Sequence, residues 1–112
     1  MIKIENRKIY TGDGFYIGRP SPLGNPFEIT LKRSRTEVIS MYREWLLTKL
    51  ETTNPTQKAF MILVENYMRT GELTLICWCS PLECHGEVIR EFILEVTLKK
   101  KGPNNEQSVT SD

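Results

Sequence analysis

The sequence predicts an α/β fold, a small two-layer or three-layer sandwich in which about three helices cover a mostly parallel, Rossmann-like sheet of few strands. Apolar residues recur at helical spacing in three segments, and short strand-like segments alternate with them. The segment LTLICWC at 73–79 is short, apolar and rich in residues that favour strands. Because helices precede it, we expect a strand that runs parallel to its neighbour.

The amino-terminal part predicts two short strands and a long loop. Residues 1–9 alternate apolar and polar side chains, which is typical of a half-buried strand. A glycine-rich turn at 12–14 leads to a second strand at 15–17. The following segment GRPSPLGNPF, residues 18–27, holds three prolines and two glycines and is therefore a shaped loop.

The next two segments predict helices. Ser34 and Glu37 form a capping box at the start of a helix over about 35–50. Asn54 and Pro55 interrupt the pattern, Thr56 is the expected cap of a second helix, and Gly71 ends it. The apolar positions of the two helices are Val38, Ile39, Tyr42, Trp45, Leu46 and Leu50, then Ala59, Phe60, Leu63, Val64, Tyr67 and Met68.

The carboxyl-terminal part predicts one more helix and a tail. The chain breaks at Ser80 and Pro81, and a helix begins at Cys84 or His85 and reaches about Lys99. Residues 99–112 hold one valine and no other large apolar side chain, so we expect a mobile tail there. Residues 1–98 then form a single domain.

Composition narrows the classes of function. The chain has 15 Lys and Arg against 14 Asp and Glu, so no global basic field attracts nucleic acid. No apolar run approaches the roughly 20 residues that a membrane helix requires, so we expect no membrane partner. Three cysteines and no recognisable secretory leader argue against a disulfide framework. We expect a cytoplasmic protein, in the host cytoplasm if a phage encodes it.

The segment CWCSPLECHGEVI, residues 77–89, contains every cysteine and the one histidine of the chain. Cys77, Cys79, Cys84 and His85 are four plausible zinc ligands. Two cysteines on one strand face lie roughly 6 to 7 Å apart, however, whereas thiolates on one zinc lie under about 4 Å apart. The spacing therefore favours no metal, and nothing in the sequence calls for a cofactor.

The two halves of this segment have different expected roles. Cys77 and Cys79 suit small core positions, and Trp78 is expected to fill space against a helix, although it could stack on a nucleobase. Cys84 and His85 open a helix, where a thiol pKa falls and an imidazole stays neutral.

The residues after His85 leave two interpretations open. Gly86 would let a ligand approach the backbone, and Glu87 either caps its own helix or acts as a general base. A Cys84 nucleophile paired with His85 is disfavoured, because adjacent side chains at a helix start are expected to diverge.

The loop from Tyr16 to Phe27 is the expected second wall of a pocket. Gly18 permits a sharp exit from the strand, Arg19 offers a forked cation for phosphate, and Asn25, beside Gly24, could read a sugar or base edge. Alternatively the loop is only a rigid surface in which Arg19 pairs with a carboxylate and Asn25 forms its own turn.

The two motifs YIGRPSPLGNPF and CWCSPLECHGEVI closely resemble an uncharacterised family of small domains from phages and bacteria. Its members carry Y-I-G-R, G-N-P-F and C-W-C followed by C-H-G-D or C-H-G-E, and the resemblance covers roughly residues 1–95. It implies a likeness to Rossmann-like nucleotide-sensing domains of conflict systems. Glu87 stands where Asp is more usual. The matching positions are Tyr16, Gly18, Arg19, Gly24, Asn25, Pro26, Phe27, Cys77, Cys79, Cys84, His85, Gly86 and Glu87.

Together these features predict a pocket for a small nucleotide-derived molecule that bears phosphate and ribose. The expected ligand-binding residues are Tyr16, Gly18, Arg19, Gly24, Asn25, Phe27, Trp78, Cys79, Cys84 and Gly86. The molecule would be a nucleotide signal of host defence, captured or processed. Catalysis stays open; an enzyme would be a ribosyl or glycosidic hydrolase or transferase with Glu87 as base or nucleophile and His85 as donor.

The alternative is a nucleic-acid or protein interaction module without a small-molecule pocket. Lys32, Arg33, Arg35 and the lysines at 99–101 would carry it, although such charge runs are usually solvated surface. The sequence leaves the oligomeric state open.

Overall fold

A computed structural model describes residues 1–78 and 84–101. Its order is β1 (Ile2–Asn6), β2 (Phe15–Tyr16), α1 (Arg35–Lys49), α2 (Pro55–Thr70), β3 (Leu73–Cys77) and α3 (Gly86–Lys101). The three strands form one parallel sheet in the order β1-β3-β2. The predicted small α/β fold with a parallel sheet and three helices is therefore confirmed.

The central strand β3 is the hydrophobic axis of the domain. Leu73, Leu75, Ile76 and Cys77 are all buried, as expected of a strand with a neighbour on each side. Helix α2 packs against β3 and α3, and α3 also packs against β1 and α1. Ile17, directly after β2, is fully buried and belongs to the same core.

Local sequence signals mark the start of α1 and the end of α2. The Ser34 hydroxyl accepts from Glu37 N at 3.1 Å while the Glu37 carboxylate accepts from Ser34 N at 3.0 Å, so the predicted capping box is confirmed. Gly71 ends α2 with φ 75°, the left-handed conformation that glycine adopts without steric cost.

Asn54, rather than Thr56, caps α2. Its side chain accepts from Gln57 N at 2.9 Å, and Pro55 occupies the first turn. The predicted Thr56 cap is wrong because that hydroxyl instead donates to Pro22 O at 2.8 Å, which ties the proline-rich loop to α2.

Three predicted boundaries shift. β1 ends at Asn6 rather than Ile9, because the Asn6 side chain and carbonyl accept from the backbone N–H groups of Lys8, Ile9 and Tyr10 and turn the chain. β3 ends at Cys77, and the last residue of the predicted strand, Cys79, lies outside the described residues. α3 continues to Lys101 and takes in the first three residues of the predicted tail. The rest of that tail, 102–112, lies outside the described residues.

Across the described residues, every helix is too short or too polar to cross a lipid bilayer.

Candidate ligand-binding site

The carboxyl ends of β2 and β3 lie side by side and form one edge of the candidate site. Tyr16 pairs with Ile76, and Ile17 N donates to Ile76 O at 2.9 Å, so the ladder continues one residue past β2. The loop that leaves β2 therefore begins beside Trp78, which follows β3. Ligands of open parallel sheets collect at this edge, beyond the carboxyl ends of the strands.

A cavity of about 330 Å³ opens at this edge. Its walls come from the loop after β2, the first two turns of α1, the end of β3 and the segment that leads into α3. Eight sequence-predicted site residues line it: Tyr16, Gly18, Arg19, Asn25, Phe27, Trp78, Cys84 and His85. The structure thus brings Arg19 and His85 to one cavity, although 66 positions separate them in the sequence.

Arg19 braces the loop in addition to facing the cavity. Its Nε donates to Asn25 O at 2.7 Å and Nη2 lies 3.4 Å from Phe27 O, so the side chain spans the loop that it belongs to. Nη1 lies 3.7 Å from a Glu28 carboxylate oxygen, and both side chains are more than half exposed. Solvent screens that ion pair, so it contributes little to stability, and the guanidinium remains one of the groups that line the cavity.

Asn25 forms its own turn, as one of the two interpretations of the sequence holds. Its Oδ1 accepts from Phe27 N at 2.9 Å, and its Nδ2 lies 3.4 Å from Val38 O on α1. Gly24 makes the same loop compact, because an added Cβ would lie 3.0 Å from backbone atoms of Arg19. Gly24 is buried and does not line the cavity, so its role in the structure is to shape the loop.

A hydrogen-bond relay joins the end of β3 to the loop. Trp78 Nε1 donates to Tyr16 Oη at 2.8 Å, and Tyr16 Oη donates to Arg19 O at 2.7 Å. The Tyr16 ring lies over Gly18, where an added Cβ would come within 2.5 Å of the hydroxyl oxygen. Trp78 is 51% exposed, so the expectation that it fills space against a helix is not met. One aromatic residue therefore stands at the cavity with its ring open to solvent.

Tyr42 on α1 supports the floor of the cavity from behind. It is fully buried, its hydroxyl donates to Leu23 O at 2.8 Å, and its ring meets the His85 ring edge-on at 4.9 Å. Burial raises the pKa of the Tyr42 hydroxyl far above its ordinary value, and negative charge on Cys84 raises it further. The hydroxyl therefore stays protonated and remains a donor to the loop at every working pH.

Cys84 and His85 converge instead of diverging. The Cys84 Sγ lies 3.6 Å from His85 Nδ1 and accepts from Gly86 N at 3.3 Å, and His85 Nε2 lies 2.7 Å from Ile17 O. A carbonyl oxygen can only accept, so Nε2 carries a proton and Nδ1 is the nitrogen that faces the thiol. The expectation that these side chains point apart is wrong, because Cys84 precedes the helix and its backbone does not follow the helical path.

Gly86 and Glu87 do not line the cavity. An added Cβ on Gly86 would lie 2.9 Å from Ile17 Cδ1 and 3.4 Å from Ile4 Cδ1, so the missing side chain lets α3 pack onto the sheet. Glu87 is exposed in the first turn of α3, where a carboxylate complements the helix dipole. Neither residue is therefore placed to contact a ligand bound in the cavity.

Cys77 is a fully buried core residue, as predicted, and Cys79 lies outside the described residues. Within ranges 1–78 and 84–101, no three or more His, Cys, Asp or Glu side chains form a group that could hold a metal ion.

The family model described as Domain of unknown function (DUF4326) matches residues 2–95. The chain belongs to this family. The resemblance to an uncharacterised family of small domains, read from the two motifs, is therefore confirmed. No curated protein and no solved structure matches the chain significantly.

Sequence reasoning did not assign four lining residues of this DUF4326 domain to the site. The lining is completed by four residues, Ile29, Arg35, Val38 and Ile39. The helical spacing assigned Val38 and Ile39 to the core, and Arg35 was grouped with surface charge. The available signal was the short connection between Phe27 and the Ser34 cap, which holds the first turn of α1 close to the loop.

Proposed function

We propose that the protein binds a small nucleotide-derived molecule, bearing phosphate and ribose, in the cavity between the 16–27 loop and the residues that open α3. The observation that carries this proposal is the charge of the lining. Two guanidinium groups, Arg19 and Arg35, and one imidazole line the cavity, while none of its described lining residues is a carboxylate. Such a lining favours an anion, and arginine recognises phosphate oxygens in a forked geometry.

The remaining lining suits a ring system. Tyr16, Phe27 and Trp78 are aromatic residues of the lining, and the exposed Trp78 indole can stack on a nucleobase. The volume of about 330 Å³ lies at the lower end of the range for small-molecule pockets. A mononucleotide or a ribose phosphate is therefore a better match than a full dinucleotide.

The loop supports binding because it is held before any ligand arrives. Arg19, Asn25 and the Tyr16 hydroxyl each bond to loop or α1 backbone, so little ordering entropy is lost on binding. We propose that the protein captures or processes a nucleotide signal, which includes a signal of host defence. We do not assign the role of catalytic base to Glu87, since it is exposed and does not line the cavity.

Thermal-shift measurements with the full chain test the proposal. The ligands are mononucleotides, ribose 5-phosphate, dinucleotide cofactor fragments and cyclic dinucleotides, with adenosine as the probe that lacks phosphate. A ligand at 100 times its Kd stabilises the native state by about 2.7 kcal/mol, which raises Tm by roughly 10 °C for a domain of this size. We expect phosphate-bearing ligands to stabilise the protein and adenosine to have a much smaller effect.

Arg35→Gln is the decisive variant. Arg35 is the first residue of α1, where a positive charge opposes the helix dipole, and the Tm of the variant without ligand measures what the change costs the fold. We expect affinity for the best phosphate ligand to fall by about tenfold or more, because a charge-assisted hydrogen bond is lost. Lys58→Gln is the matched control: it removes one exposed positive charge from α2, away from the lining.

Equal affinity in Arg35→Gln and Lys58→Gln would contradict the assignment of the anion site. Stabilisation by duplex DNA that declines steeply with salt, with no response to mononucleotides, would favour the interaction module instead.

A further inference from the structure

We infer that Cys84 is a nucleophilic thiol, activated by proton transfer to His85 Nδ1 and presented to a ligand in the cavity. This inference rests on the anion-binding cavity of the proposed function and adds covalent chemistry to it. Reactive cysteines require a base within reach of the sulfur, a third group that orients the base, and access for an electrophile. The structure supplies each of these features.

The base and its orientation come from His85 and the strand end. His85 Nδ1 lies 3.6 Å from Cys84 Sγ, and Nε2 donates to Ile17 O at 2.7 Å, which fixes the ring and its tautomer. The edge-on contact with Tyr42 restricts the same ring from another side. In the neutral state Nδ1 accepts the thiol proton, and after transfer the imidazolium and the thiolate attract each other.

The backbone also stabilises the thiolate. Gly86 N donates to Cys84 Sγ at 3.3 Å at the amino-terminal end of α3, where free N–H groups and the helix dipole favour negative charge. Cys84 is 2% exposed overall, but it lines the cavity, so a reagent reaches it only by entering the cavity. Cys77 is at least as buried and does not line the cavity, which makes it the matched internal control.

The substrate class is a phosphate-bearing molecule with an electrophilic carbon that carries a leaving group. The Cys84 thiolate attacks that carbon, an S–C bond forms, and the bond to the leaving group breaks. The leaving group departs with the electron pair and takes the proton from His85 Nδ1. No oxidant or reductant takes part in this step.

Alkylation of the full-length protein tests the inference, with the modified cysteine located by peptide fragmentation in a mass spectrometer. An isolated thiol of pKa about 8.5 loses roughly 75-fold in alkylation rate between pH 8 and pH 6, because the thiolate fraction falls by that factor. We expect the rate at Cys84 with iodoacetamide to fall by less than about threefold over the same range. His85→Gln can still donate to Ile17 O, and it should restore the steep decline.

The titratable or charged groups around the pair among the described residues are Tyr16, Arg19, Arg35 and Tyr42. Burial raises the pKa of Tyr42 far above this pH range, so a flat profile between pH 8 and pH 6 reports on the Cys84 and His85 pair. A steep profile in the wild-type protein, or alkylation confined to the unfolded state, overturns the inference. That result does not depend on whether the His85→Gln protein folds.

A second reagent separates this inference from the proposed function. Iodoacetate carries a negative charge and iodoacetamide does not, so the arginine-lined cavity should accelerate iodoacetate relative to iodoacetamide at Cys84. We expect the preference to fall in Arg35→Gln, which leaves Arg19 in the lining, and to persist unchanged in Lys58→Gln. A flat pH profile without the anionic preference supports the nucleophile and contradicts the anion site, whereas a steep profile with the preference does the reverse.

Discussion

Replacing Tyr42 by Phe removes one buried hydroxyl oxygen and should weaken the attachment of the 18–27 loop to α1. The hydroxyl donates to Leu23 O at 2.8 Å, and Tyr42 and Leu23 are 0% and 3% exposed, so water cannot easily replace the lost donor. Leaving a buried acceptor without its partner costs about 1 to 3 kcal/mol. In a domain of this size each kcal/mol lowers Tm by roughly 4 to 8 °C.

Urea unfolding followed by tryptophan fluorescence measures this loss, read as a lower midpoint at unchanged slope. Tyr67→Phe is the control: Tyr67 is a half-buried tyrosine of α2 outside the cavity lining. We expect that change to cost less than about 0.5 kcal/mol, as most substitutions away from special features do. A Tyr42→Phe protein as stable as Tyr67→Phe would refute the view that this hydroxyl holds the loop.

Two further predictions follow from single contacts. Gly86→Ala places a Cβ 2.9 Å from the fully buried Ile17 Cδ1, so overpacking should cost about 1 kcal/mol or more in urea unfolding, and a stability gain would contradict the packing role. The half-buried Arg43 donates twice to Glu91, at 2.7 and 2.8 Å, and these hydrogen bonds lower the pKa of the Glu91 carboxyl. Because the pKa of this carboxyl is lower in the folded chain than in the unfolded chain, the interaction stabilises the fold fully above the unfolded-chain pKa. The stabilisation is lost as the pH falls through the folded-chain pKa. Glu91→Gln should therefore cost under about 1 kcal/mol at pH 7 and less at pH 2; an equal loss at both pH values would contradict this.

Local signals were sufficient to predict the helices, because the residues that start or end a helix act on backbone groups within a few positions. Ser34 and Glu37 mark the start of α1 by bonds that both residues carry themselves, and Gly71 marks the end of α2 by its own backbone conformation. The Thr56 cap failed because Asn54 competed for the same N–H groups and Pro22, distant in sequence, took the Thr56 hydroxyl.

The site was predictable in part. Gly18, Arg19 and the Cys84–His85 pair stand out in the sequence because their residue types are unusual at the end of a strand or the start of a helix. The sequence does not reveal that Arg19 uses two donors on the backbone of its own loop, or that Glu87 does not line the cavity. Both depend on side-chain directions that only packing fixes.

The sequence by itself determined the order of strands and helices, the parallel sheet and the proline-rich loop, since periodicity, caps and breakers act over a few residues. The tertiary structure alone decided that the first turn of α1 closes the cavity, that Tyr42 supports it and that Cys84 faces His85. These contacts join segments tens of residues apart or depend on backbone direction before a helix. Their geometry comes from packing against Ile17 and the sheet, which no local pattern specifies.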